Sequence, residues 1–157
     1  MLAHDNTPTV APNLLHEVDN IISSKAAPTA RMDQIVALLF DRVKYYTWVG
    51  VYLLEGDELV LGPFRGKPSP HTRIPLNRGI CGAAASQKQT IIVPDVNADP
   101  RFLACSLETR SEIVVPIMNG SECLGEIDID SDAADAFHDA DRRFLESVAT
   151  RLAKLLK

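Results

Sequence analysis

Apolar residues recur at helical spacing near both ends of the chain and alternate with polar ones through its middle. From Pro12, a stripe of Leu14, Leu15, Val18, Ile21 and Ile22 runs until Lys25-Ala-Ala-Pro28 interrupts it. Thr29 reads as the N-cap of a second helix whose stripe is Met32, Ile35, Val36, Leu39 and Val43. The C-terminal segment is the clearest helix, with Phe144, Leu145, Val148, Ala149, Leu152, Leu155 and Leu156 on one face. Asp139 is its expected cap, and Lys154 and Lys157 sit where the negative end of a helix dipole favours cations.

Between these helices the pattern switches to strands at 48–54, 58–64, 90–93, 112–118 and 123–130. Glu55-Gly56-Asp57 marks a hairpin turn, and Asn119-Gly120 predicts a second, tight one. RGICGAAASQ predicts a short helix over 79–87. Two long connections remain, 62–77 and 94–110, and long loops in compact domains are usually functional. The element order implies an α+β domain: an antiparallel sheet of five or six strands, helices on one face and loops on the other. No repeat or low-complexity linker divides it, so 1–157 reads as a single domain with a flexible arm at 1–12.

Composition narrows the classes. A chain of 157 residues, 46% hydrophobic and 24% charged, is long enough for its own core and ordinary for a globular protein. Its net charge of −5, with no basic run, argues against nucleic-acid binding. No apolar run approaches the ~20 residues that span a bilayer, so no membrane association is expected. The N-terminus lacks the features of a signal peptide, and three sparse cysteines suit a reduced, cytoplasmic setting. At this length a single domain with no fused output module is expected.

Alternation then places candidate chemistry. Trp48, Gly50 and Tyr52 share one strand face, and Glu126, Asp128 and Asp130 share another. If the apolar faces meet the helices, the carboxylates lie under the long loops, and Glu112 can join them. The result is a cup with an aromatic wall of Trp48 and Tyr52 and an acidic floor of Glu112, Asp128 and Asp130. Such a floor suits an ammonium group, and clustered carboxylates raise one another's pKa, leaving one to act as a general acid. The competing reading is an open sheet face whose carboxylates only confer solubility.

The cysteines differ in setting. Cys105 lies in PRFLACSLETRSE, where Arg101 and Arg110 can favour its thiolate. Cys81 lies near a helix start, which also favours thiolate, although a small residue there can serve packing alone. Cys123, by alternation, faces the helical layer as a small hydrophobe. No CxxC or HxxxH pair exists, and His4, His16, His71 and His138 are scattered, so no metal site is expected unless the loops bring His71 near Cys105. No Walker or Rossmann glycine pattern is present, and no bound cofactor is expected.

Read in order, WVGVYL, LGPFRGK, RIPLNRGICG, DVNADPRFLACS, SEIVVP and GEIDIDS resemble the GAF-domain free methionine-(R)-sulfoxide reductases. The resemblance runs from about Trp48 to the last helix. It implies a central antiparallel sheet with helices on one side and ligand loops on the other. It implies that Cys105 is the nucleophile and Cys81 a second redox cysteine. It also implies that Trp48, Tyr52, Glu112, Asp128 and Asp130 form the substrate pocket. Cys105 would attack the sulfoxide sulfur, and Asp130 or Asp128 would protonate the oxygen. The resulting sulfenic acid would be reduced by Cys81 or by an external thiol such as glutathione or a thioredoxin-like protein. Family members carry a further cysteine in the loop that here reads GKPSPHTRIP, where its place falls on Pro70 or His71. A homodimer is the family expectation. The alternative is a GAF small-ligand sensor without catalysis.

Overall fold

A computed structural model describes residues 12–103 and 106–157; residues 1–11, within the expected arm, and Ala104 and Cys105 lie outside the described residues. Four helices and six strands follow in the order α1 (Pro12–Ile22), α2 (Pro28–Arg42), β1 (Trp48–Glu55), β2 (Glu58–Arg65), β3 (Arg73–Pro75), α3 (Gly79–Gln87), β4 (Ile91–Val93), β5 (Ser111–Asn119), β6 (Glu122–Ser131) and α4 (Asp139–Leu156). The strands form one antiparallel sheet in the order β3-β2-β1-β6-β5-β4. This is the expected α+β architecture with the larger of the two anticipated strand counts.

α1, α2 and α4 cover one face. Leu14, Val18, Ile35, Leu39, Leu145, Val148 and Leu152 pack there against Val49, Val51, Ile113, Val115, Ile127 and Ile129. These strand residues are the alternate positions of β1, β5 and β6, so the period of two drives the carboxylates to the other face. α3 lies on that second face, with Ile80, Cys81, Ala84 and Ala85 packed among Trp48, Tyr52, Val93 and Val114. Small side chains permit this: a Cβ on Gly82 would come within 2.9 Å of the Pro75 carbonyl oxygen and 2.8 Å of that of Leu76. Among the described residues, no helix is long and apolar enough to cross a membrane.

Several local expectations shift. α2 begins at Pro28, a residue preorganised for the first helical position, with Ala27 as N-cap instead of Thr29. α4 is capped by His138, not Asp139, because Asp141 reaches back to accept the His138 backbone N–H at 3.0 Å. Asp141 is fully buried and also accepts the hydroxyls of Tyr45 and of Tyr46, the latter at 2.9 Å. Burial and that carboxylate hold both phenols far above their usual range. The β5–β6 turn is centred one residue later than Asn119-Gly120: Asn119 pairs with Glu122, and Gly120 (φ +61°) and Ser121 form the loop. β3 emerges from the long connection because Ile74 pairs with Leu59.

Candidate active site

The site is built on register. On the face opposite α1, α2 and α4, Trp48 stands directly across from Asp130, Gly50 from Asp128 and Tyr52 from Glu126. On the other side of β6, Glu112 opposes Asp130 and Val114 opposes Asp128. Directly opposed residues on one sheet face hold their Cβ atoms about 4.5–5.5 Å apart. The predicted wall and floor therefore come together on three adjacent strands.

Trp48 lies flat on the sheet. A Cβ on Gly50 would sit 2.3 Å from its Cη2, so glycine at that position is what lets the indole cover the strand. The ring stacks on Phe64 (centroids 5.8 Å apart, planes 18° apart), and its Nε1 donates to the Lys67 carbonyl at 2.9 Å. Tyr52 is fully buried and donates its hydroxyl to the His71 carbonyl at 2.7 Å. Both wall residues thus pin the loop between β2 and β3, where the family's further cysteine would stand. Gly50→Ala is expected to push the indole off the sheet, redden the emission of this single tryptophan, and raise KM for any ligand of the pocket about tenfold, in keeping with a displaced positioning group. Unchanged emission from the variant would show that the ring does not depend on Gly50.

The floor is dry. Glu112, Glu126, Asp128 and Asp130 are at most 4% exposed, excluding the solvated-face reading. Both oxygens of Glu126, both of Asp130 and Oδ1 of Asp128 accept no hydrogen bond of ordinary geometry from the described residues. Desolvation, above all, pushes all four carboxyls above their ordinary range, and the charge of Asp128 adds to this at Glu112, Glu126 and Asp130. A shift in this direction favours the protonated form, the form a general acid uses. Glu126 is the member that alternation placed on this face but that was not counted in the pocket; its full burial is the signal the sequence lacks.

The cysteines correct the expectations. Cys81 sits in the first turn of α3, but burial, followed by the charges of Asp128, Glu126 and Glu112, drives its thiol well above its usual range. The predicted thiolate-favouring setting is therefore absent: three carboxylates outweigh a short helix's dipole. Cys123 lies on the carboxylate face, packed with the α3 cluster instead of the helical layer. The register shift after Ile117 pairs Met118 with Cys123 and leaves Leu124 as the extra residue, which reverses the alternation. Arg101 does not stand free to acidify a neighbour; its guanidinium forks onto Asp99 at 2.7 and 3.0 Å.

Cys105 itself lies outside the described residues, yet its loop is bracketed. Leu103 lines a small cavity of about 10 Å³ with Tyr52, His71, Cys81, Glu112 and Asp128. Ser106 lines a second, of about 50 Å³, with Trp48, Lys67, Thr109, Asp130 and Asp132. A Lys67–Glu108 ion pair at 3.0 Å ties the two loops together across the exposed rim. A much larger open groove, about 460 Å³, runs between α4 and β5 past Lys88 and Arg142, far from these acids.

Residues 22–156 match the GAF domain family. The chain is 35% identical over 144 residues to the free methionine-R-sulfoxide reductase of Escherichia coli, covering 92% of this chain and 87% of that protein. It is 38% identical over 145 residues to GAF domain-containing protein A of Dictyostelium discoideum, covering 92% and 88%. The structure superposes with a TM-score of 0.86 on the free methionine-R-sulfoxide reductase of Neisseria meningitidis in complex with its substrate, at 36% identity over 91% of this chain and 86% of that one.

Proposed function

The chain belongs to the GAF domain family, and from that premise we propose that it reduces free L-methionine-(R)-sulfoxide to methionine. The observation that carries this reading is the convergence of Trp48, Tyr52, Glu112, Asp128 and Asp130 on one buried face, with Leu103 and Ser106 delivering the loop of Cys105 to it. The Cys105 thiolate attacks the sulfoxide sulfur. Asp130 or Asp128, held protonated by burial, gives its proton to the sulfoxide oxygen. The protonated oxygen then passes to the Cys105 sulfur as the bond between the two sulfurs and the S–O bond to the methionine sulfur both break, so methionine leaves and Cys105 becomes a sulfenic acid. A thiol then condenses with it, forming a disulfide and releasing water.

Trp48 packs on the S-methyl group, while Glu112 and the remaining aspartate hold the ammonium. The cavity beside Cys81 has room for about one water molecule, so the substrate enters only when the two loops part. The high thiol pKa of Cys81 makes it a slow attacker until a neighbouring charge is neutralised. An external dithiol of the thioredoxin class, or glutathione, therefore supplies the reducing equivalents.

The test is a substrate panel with dithiothreitol as reductant: free (R)-sulfoxide, free (S)-sulfoxide, and the N-acetylated (R)-sulfoxide. Only the free (R)-form is expected to turn over, because acetylation removes the ammonium that the acidic floor binds. Equal turnover of the acetylated compound would overturn the assignment of that floor. Binding of a small ligand such as a cyclic nucleotide, with no turnover of any sulfoxide, would establish the sensory alternative.

A further inference from the structure

We propose that Cys81, Glu112 and Asp128 form a binding site for a single thiophilic divalent cation, with Zn²⁺ the fitting ion. One ligand atom from each lies within 4.8 Å of the others. The three come from regular elements: the first turn of α3, the start of β5 and the paired β6 strand beside it. Tetrahedral zinc with a thiolate at about 2.3 Å and carboxylates at about 2.0–2.2 Å needs these atoms to close by only about 1 Å.

A second observation points to a ligand there. Asp128 Oδ1 is buried and accepts no hydrogen bond from the described residues, in a residue 1% exposed that lines this cavity. The void that Cys81, Glu112 and Asp128 line measures about 10 Å³, the size for one water or one ion. The donor set selects the metal. A thiolate with two carboxylates suits zinc or cobalt, whereas magnesium and calcium require six or more oxygens. Binding exchanges the thiol proton for the metal, with no change in oxidation state. It takes the same two carboxylates that the proposed substrate ammonium uses. Zn²⁺ is therefore a competitive inhibitor that also withholds Cys81 from thiol exchange. That competition rests on the reductase reading; metal binding does not.

The experiment is a titration of the reduced, chelator-treated chain with Co²⁺, followed by the near-ultraviolet cobalt–thiolate absorption. One equivalent is expected to saturate the band, and Zn²⁺ to abolish it by displacement. Cys81→Ser is expected to remove the band, and Asp128→Asn to weaken binding at least tenfold, whereas Cys123→Ser and Cys105→Ser retain it. Thermal melts confirm that each variant is folded, and Asp128→Asn keeps the test decisive if Cys81→Ser is not. No band in the wild type, or a band that survives Cys81→Ser, would overturn the site. A cobalt band in a chain that turns over no sulfoxide would support the site and count against the reductase reading alone.

Discussion

Asp128→Asn is expected to lower kcat/KM for free methionine-(R)-sulfoxide by about 10²–10³-fold, the equivalent of leaving one partner of a buried ion pair unpaired. Asp128 holds the centre of the floor, between Gly50 on β1 and Val114 on β5, and is 1% exposed. Its loss leaves the substrate ammonium only Glu112 and Asp130 among the described floor carboxyls, and burial, followed by the charge of Asp128, shifts both upward, toward their neutral forms. How the loss divides between the two kinetic constants assigns the acid. If Asp128 binds ammonium, KM rises and calorimetric affinity for the sulfoxide falls in parallel. If Asp128 is instead the proton donor, kcat falls and affinity holds. Asp130→Asn is expected to show the complementary pattern. Asp132→Asn, which alters the rim of the neighbouring cavity without entering the floor, serves as the control with less than a twofold effect. Equal, small losses in all three variants would contradict a role for the buried acids.

Glu126→Met is expected to stabilise the fold by about 1–3 kcal/mol at pH 7.5, because it replaces a buried carboxyl with no well-formed hydrogen bond among the described residues by an apolar side chain of similar length. The gain is pH-dependent, with a determined sign. Burial, followed by the charge of Asp128, raises the folded-state pKa of Glu126 above its unfolded value of about 4.3. Below that unfolded value the carboxyl is neutral in both states and costs no ionisation. Above it the unfolded chain releases a proton that the folded chain retains, so wild-type stability falls as pH rises toward the folded pKa. The variant lacks this term. Its advantage should be larger at pH 7.5 than at pH 5.5 in urea melts run with chelator present. An advantage that is constant with pH, or a loss of stability, would show that Glu126 is ionised and paired.

How far the sequence foretold this site depends on the length scale of each feature. The Asp128-Ile129-Asp130 alternation and the strand containing Glu112 were enough to place three carboxylates together, because β5 and β6 pair without interruption there. Trp48 and Tyr52 followed from the same period of two on β1. Cys123 did not, because the extra residue at Leu124 flips every position before it, and nothing in Cys-Leu-Gly announces a bulge. α3 was recognisable as a helix, but GICGAAASQ is apolar and small on most sides, so its sequence shows no face from which to tell its layer. The high thiol pKa of Cys81 arises first from burial beneath the rest of the fold and then from the charges of Asp128, Glu126 and Glu112, which reach it from β5 and β6. His71 lies on the cavity wall because Tyr52 holds its carbonyl, a contact between residues far apart in any local pattern.

The proposed reduction depends on a Cys105 thiolate that removes oxygen from free methionine-(R)-sulfoxide held by the acidic floor. The most direct test is the dithiothreitol-driven reduction of that substrate by the wild type and by Cys105→Ser, with methionine quantified. Steady turnover is expected in the wild type, with a loss of at least about 10³-fold in the variant, in keeping with removal of a covalent nucleophile. No turnover by the wild type, or full activity in Cys105→Ser, would contradict it.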